Sequence, residues 1–142
     1  MSSDKNINNE KSDKKEVILA KSAGFCFGVK RAVDTVYEQA GKENVYTYGP
    51  IIHNEEVVKD LERKGVHVIE DISQLDNIKN GTIIIRSHGV SKNVYDTIKE
   101  RGFEIVDATC PFVLKIHNIV KTESENGSQI VIIGNEKHPE VE

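Results

Sequence analysis

The sequence predicts an α/β fold, a mostly parallel sheet flanked by helices. Three observations predict it. From residue 16 onward, short apolar runs of strand length alternate with segments whose apolar residues recur at helical spacing. Several of these runs, "VILA", "TIIIRS" and "QIVIIG" among them, are apolar almost throughout rather than at alternate positions, as in parallel strands buried on both faces. Residues that start and stop helices stand at the joints between the two kinds of segment.

In chain order, Val17–Ala20 reads as a buried strand that extends to about residue 22. A helix follows over Gly28–Ala40, because Val29, Ala32, Val33, Val36, Tyr37 and Ala40 fall on one face. "VYTY" (45–48) is the second strand. Asn54 is placed to N-cap a helix that buries Val57, Val58 and Leu61, runs to about Lys64 and is closed by Gly65. "VHVIE" (66–70) and "TIIIRS" (82–87) are strands. Ser91 caps a helix that runs to about Arg101, with Gly102 at its end. "FEIVDA" (103–108) is a strand, Pro111 to about Glu125 a helix, and "QIVIIG" (129–134) a further strand.

The first fifteen residues, "MSSDKNINNEKSDKK", carry only Met1 and Ile7 as apolar residues, too little to offset the entropy of ordering, so this tail is expected to be disordered. Residues 16–109 form one α/β unit, and residues 110–142 read as the opening of a second that is not completed. No sequence repeat is strict enough for a solenoid.

With 142 residues, 30% charged and 37% hydrophobic, the chain has the composition of a soluble protein of about one domain. A net charge of −4 without a basic stripe argues against nucleic-acid binding. No apolar run approaches the roughly 18–20 residues needed to span a bilayer, and the N-terminus lacks the apolar core of a secretory signal. The cytoplasm is the expected location, where two cysteines stand as free thiols or ligands rather than as a disulfide.

The reactive residue types fall where strands give way to helices. Cys26 follows the first predicted strand, His53 the second ("YGPIIHN"), His88 the run 82–87 ("RSHGVS"), Cys110 the run 103–108, and His138 and Glu140 the run 129–134 ("GNEKHPEVE"). In an open parallel sheet the carboxyl ends of the strands hold the ligand, so junctions distant in sequence converge there. Gly24 and Gly28 allow tight turns and close approach of the backbone to a ligand. Pro111 suits the first helical position, which makes Cys110 the N-cap. Helix N-termini favour thiolate over thiol, and thiolates bind iron and zinc. Histidines beside free backbone N–H groups form an anion cradle suited to phosphate or diphosphate. His67 reads as an exposed strand residue, and His117, one turn into the helix after Cys110, as a packing residue beneath the site.

On these residues alone the chain offers two ligands of a split metal or cluster site and an adjoining anion pocket. Two thiols do not complete an iron–sulfur site, which usually takes four. Three alternatives stay open: a zinc hydrolase or lyase using Cys26, Cys110 and a histidine, a phosphate-binding α/β module whose cysteines are core residues, and a redox dithiol.

Five motifs, "GFCFGVKRAV", "YGPIIHN", "IIRSHGV", "DATCPFVLKIH" and "HPEVE", occur together and in order. With them the chain resembles the N-terminal part of the 4-hydroxy-3-methylbut-2-enyl diphosphate reductase (IspH/LytB) family, the last enzyme of the non-mevalonate isoprenoid pathway. The resemblance implies three similar α/β units around a [4Fe–4S] cluster held by three cysteines, with one iron open to substrate. It implies that Cys26 and Cys110 are two of those ligands, the third lying beyond residue 142. It further implies that His53, His88 and His138 line the diphosphate pocket and that Glu140 belongs to the proton relay. The implied reaction reductively removes the C4 hydroxyl of the allylic diphosphate, giving isopentenyl and dimethylallyl diphosphate. The electrons come one at a time from a donor such as ferredoxin or flavodoxin.

Overall fold

A computed structural model describes residues 16–136, 138, 140 and 141. The polar tail expected over residues 1–15 lies outside the described residues. The elements run α1 (Phe27–Gln39), β1 (Val45–Tyr48), α2 (Glu55–Arg63), β2 (Val66–Ile69), a 3₁₀ helix (Ile72–Asn77), β3 (Thr82–Ile85), α3 (Lys92–Glu100), β4 (Glu104–Asp107) and α4 (Pro111–Glu125).

The four strands form one sheet in the order β2-β1-β3-β4, every pair parallel. The register sets Val45 beside Val66 and Thr82, and Thr82 beside Glu104, so the strands begin and end level. The chain leaves β1 through α2 to reach β2 at one edge, then crosses to the other side of β1 to make β3. The direction of winding therefore reverses between β1 and β3, and a crevice opens at the carboxyl ends of strands on either side of such a reversal.

Strand pleating sends alternate residues to opposite faces. Val45, Val66 and Ile84 meet Ala32, Val33 and Val36 of α1 and Leu61 of α2 on one face. Ile69, Ile83 and Ile85 meet Leu75 of the 3₁₀ helix and Ile98 of α3 on the other. β3 lies between two strands and under both helical layers, and its four residues, Thr82 and three consecutive isoleucines, are all buried, as in parallel strands covered on both faces.

The helix signals match physical caps. The Asn54 side chain accepts hydrogen bonds from the Glu56 and Val57 N–H groups, and the Ser91 hydroxyl accepts from Val94 N–H. The 3₁₀ helix was not expected. Its start is nonetheless written in the chain as a capping box, in which Asp71 Oδ1 accepts from Ser73 N–H and Gln74 Oε1 accepts from Asp71 N–H.

Two predicted strands do not form. Residues 17–22 and 129–134 belong to no strand, and Val17 and Ile133 are 93% and 96% exposed. A strand exists only as one member of a hydrogen-bonded pair. The described sheet ends at β2 and β4, and neither run lies against those edges. Apolar composition signals that a run is suited to burial but does not supply the partner. α4 forms as expected yet has no buried residue, with Phe112, Ile116 and Ile119 more than half exposed. Among the described residues no helix is long and apolar enough to cross a membrane.

Candidate functional site

Both cysteines are helix N-caps. Cys26 has extended backbone immediately before α1, and Cys110 stands before α4 with Pro111 at the first helical position. Neither side chain caps its helix by a hydrogen bond, and both thiols are free. Both stand at the start of α1. The Cys110 sulfur lies against Gly28, two residues from Cys26, where a Cβ would stand 3.0 Å from Cys110 Cβ and closer still to Sγ. Close approach at Gly28 was expected of a ligand, and here a thiol side chain makes it. Cys26 is exposed and Cys110 half-buried, so neither is an aliphatic-core residue.

The histidines come from the two strands that flank the reversal of winding. His53 follows β1 and His88 follows β3, and their ring centroids are 5.8 Å apart. His138 closes the row, edge-on to His88 at 6.3 Å. Glu140 reaches the same group: its Oε1 is 4.0 Å from His88 Nε2, and its backbone N–H donates to His138 Nδ1 at 3.2 Å. The His88 loop is tied to the cysteine junction as well. Cys110 N–H donates to Ser87 O at 2.9 Å, and a Cβ on Gly89, at φ +80°, would stand 3.2 Å from Thr109 Cγ2 and 3.3 Å from His117 Cε1. His117 thus faces the His88 loop from an otherwise exposed position on α4. His67 is exposed on β2 beside Tyr46.

Burial holds the His88 imidazole below the ordinary histidine range, and Arg86, His53 and His138 push the same way, while the Glu140 carboxylate offsets part of the effect. His88 Nδ1 is buried with no protein partner. A neutral ring can keep its proton on either nitrogen, so the orphaned atom is a donor or acceptor in waiting for a ligand or water. Because the folded chain resists protonating His88, acid favours the unfolded chain. Stability is full above the unfolded value of 6.5 and falls as pH drops below it toward the depressed folded value. Thermal melts taken from about pH 7.5 to 5 are expected to show that fall, and His88→Asn to flatten it.

Arg86 and Arg31 were not singled out in the sequence. The Arg86 guanidinium lies over Gly49, whose φ of +69° and missing Cβ make room for it, and Arg86 Nε is buried without a partner. Beside it a cleft of about 600 Å³ is lined by Tyr48, Arg86, Ser91, His117, Ile132 and Glu140. Arg31 reaches from α1 to the backbone of the Cys110 junction. Neither arginine has a local signal, because each contact depends on the fold.

The donor set suits part of an iron–sulfur centre. One thiol, Cys110, packs on the first turn of the helix that the other, Cys26, N-caps, over a glycine cradle that a side chain would fill. Among the described residues no three His, Cys, Asp or Glu side chains are grouped to hold a metal ion, so these thiols make a site only with further ligands.

The LytB protein family model matches residues 17–142. The 4-hydroxy-3-methylbut-2-enyl diphosphate reductase of Caldanaerobacter subterraneus subsp. tengcongensis is 51% identical over 129 residues, 89% of this chain and 45% of the relative. That of Pelobacter propionicus is 53% identical over 127 residues, 89% of this chain and 44% of the relative. A solved structure of (E)-4-hydroxy-3-methyl-but-2-enyl diphosphate reductase, the terminal enzyme of the non-mevalonate pathway, superposes with a TM-score of 0.75 at 40% identity, covering 88% of this chain and 44% of that one. The reductase from Plasmodium falciparum superposes with a TM-score of 0.77 at 35% identity, covering 85% and 38%. The chain therefore spans less than half the length of these relatives. Its parallel sheet, its cysteine and histidine junctions and the family match over 17–142 lead to one conclusion: this chain belongs to the LytB protein family.

Proposed function

We propose that this chain is the N-terminal portion of an iron–sulfur reductase that converts (E)-4-hydroxy-3-methylbut-2-enyl diphosphate to isopentenyl and dimethylallyl diphosphate. The observation that carries the reading is the Cys110 sulfur packed on the first turn of the helix that Cys26 N-caps, in a chain whose other junctions hold a histidine row and a carboxylate. When bound, a [4Fe–4S] cluster supplies one-electron transfers and an iron with an open position, a Lewis acid for the substrate's C4 oxygen. Cys26 and Cys110 supply two of its thiolates. The third comes from the remainder of a family-length protein.

His53, His88 and His138 present ring nitrogens to the diphosphate as hydrogen-bond donors to its anionic oxygens. His88, half-buried between the other two, is the anchor of the row. The Glu140 carboxylate, 4.0 Å from His88 Nε2, is in position to relay a proton to the departing hydroxyl directly or through one water. Residues 16–109 are the first α/β unit. Residues 110–142 open the second, which would cover α4 and give the apolar run 129–134 a sheet to enter. The same reading assigns the cytoplasm, where thiols stay reduced, and a small low-potential donor such as ferredoxin or flavodoxin.

The test is anaerobic reconstitution with iron and sulfide, followed by turnover of the allylic diphosphate with a low-potential reductant. The 142-residue chain is assayed alone and joined to the C-terminal portion of a family-length reductase. The joined protein is expected to form both products and the chain alone none. Turnover by the chain alone, or a joined protein that folds and loads its cluster but makes no product, overturns the reading.

A further inference from the structure

The backbone leading to Cys110 and its sulfur are held from four sides, and α1 provides two of them. Gly28 and Arg31 stand three residues apart on this helix, hence on neighbouring positions of one face. Gly28 is buried and is not among the glycines with positive φ. Backbone freedom therefore does not explain it, and glycine inside a helix is disfavoured against alanine. What explains it is space: Cys110 Sγ and Cβ occupy the position a Gly28 side chain would take. One turn on, Arg31 Nη1 donates to Thr109 O at 3.0 Å and Nη2 to Asp107 O at 3.4 Å. These bonds fix the last and third-last carbonyls before the thiol residue from the α1 side. From the sheet side, Thr109 N–H donates to Asp107 Oδ1 at 2.9 Å and Cys110 N–H to Ser87 O at 2.9 Å.

We propose that Gly28 and Arg31 are positioning residues that seat the Cys110 sulfur on the first turn of α1, next to Cys26, so that the two thiols face one bound centre. The geometry stands on its own contacts. Its purpose rests on the cluster site proposed above. The "GFCFGVKRAV" motif then has a physical division of labour: Cys26 is a thiol, Gly28 is the space for the other thiol, and Arg31 is the strap that brings it there.

Two measurements on the reduced 142-residue chain test the seat. The first is a thermal-melt cycle. Gly28→Ala is expected to lower the melting midpoint by several degrees in the native background. In a Cys110→Gly background, where the space is empty and glycine is an accepted N-cap, the same change is expected to raise the midpoint, because only the helix preference for alanine remains. An equal effect in both backgrounds overturns the contact. The second is titration with phenylarsine oxide, a trivalent arsenical held by two neighbouring thiols. The native chain is expected to bind one equivalent, and Gly28→Ala and Arg31→Gln to bind at least about tenfold more weakly, since small displacements cost much where two groups must act together. Arg31→Gln leaves the packing at Gly28 intact and keeps the test alive if Gly28→Ala unfolds the chain. Native affinity in both variants overturns the positioning role alone. Failure of the native chain to bind the arsenical overturns this seating of the two thiols, while the cluster site stands or falls by the iron and sulfide retained by the joined protein.

Discussion

Cys110→Ser is expected to abolish turnover in the joined protein, a loss of at least about a thousandfold, while leaving the fold untouched. The two effects separate because of where Cys110 stands. It is an N-cap whose side chain makes no hydrogen bond, and serine is among the preferred N-cap residues. Serine is also slightly smaller than cysteine, so it fits the space over Gly28. The substitution therefore removes one property, a soft and readily ionised sulfur, and keeps shape, backbone and helix start. A hydroxyl stays protonated at neutral pH and is a poor ligand for iron in a sulfide cluster. Iron and acid-labile sulfide measured after anaerobic reconstitution and desalting should fall to background, and the melting midpoint should hold or rise slightly. A Cys110→Ser protein that keeps its iron, its sulfide and its rate leaves the cysteines as ordinary half-buried residues, and the phosphate-binding alternative then stands. A protein that loses stability along with iron points to a structural thiol instead.

What could be read from the sequence, and what could not, divides by the range of the interaction. The unbroken apolar run Ile83–Ile85 marks a strand covered on both faces, and it is the central β3. Asn54 and Ser91 announce helix starts because a cap acts within three residues. Placing His53, His88 and Cys110 after strands needed only the alternation of elements, whereas Cys26 precedes α1 without a strand before it, and His138 and Glu140 follow a run that forms none. The strand order, with its reversal between β1 and β3, is what brings His53 and His88 within 5.8 Å, and no local pattern encodes it. Arg31 was passed over because its partner Thr109 is 78 residues away. Arg86 was passed over because an arginine at a strand end reads as solvated until Gly49 is seen beneath it. The runs at 17–22 and 129–134 failed for the complementary reason. Their composition is that of strands, but pairing is a property of two segments, and the described sheet offers these two no edge.

Glu140→Gln in the joined protein is expected to lower kcat by about 10²–10⁴-fold, the usual worth of a positioned acid, with cluster content and KM close to native. Glutamine keeps the length and the oxygen of glutamate, and the bond from the residue 140 backbone N–H to His138 Nδ1 does not involve the side chain, so the turn is retained. What glutamine cannot do is give up a proton and take it back. A loss confined to kcat thus marks an interaction made in the transition state rather than in substrate binding. The same variant carries an independent readout on the chain alone. The Glu140 carboxylate is the one neighbour that raises the His88 value against burial, Arg86 and the two other imidazoles. Removing its charge leaves His88 harder still to protonate when folded. The loss of stability, which begins as pH falls below 6.5, should therefore continue to lower pH in Glu140→Gln than in the native chain. A slowed kcat with an unchanged pH–stability curve would separate Glu140 from His88 and leave its proton role acting elsewhere in the pocket. An unchanged kcat removes Glu140 from proton delivery altogether, and the histidine row would then have to supply the proton as well as hold the diphosphate.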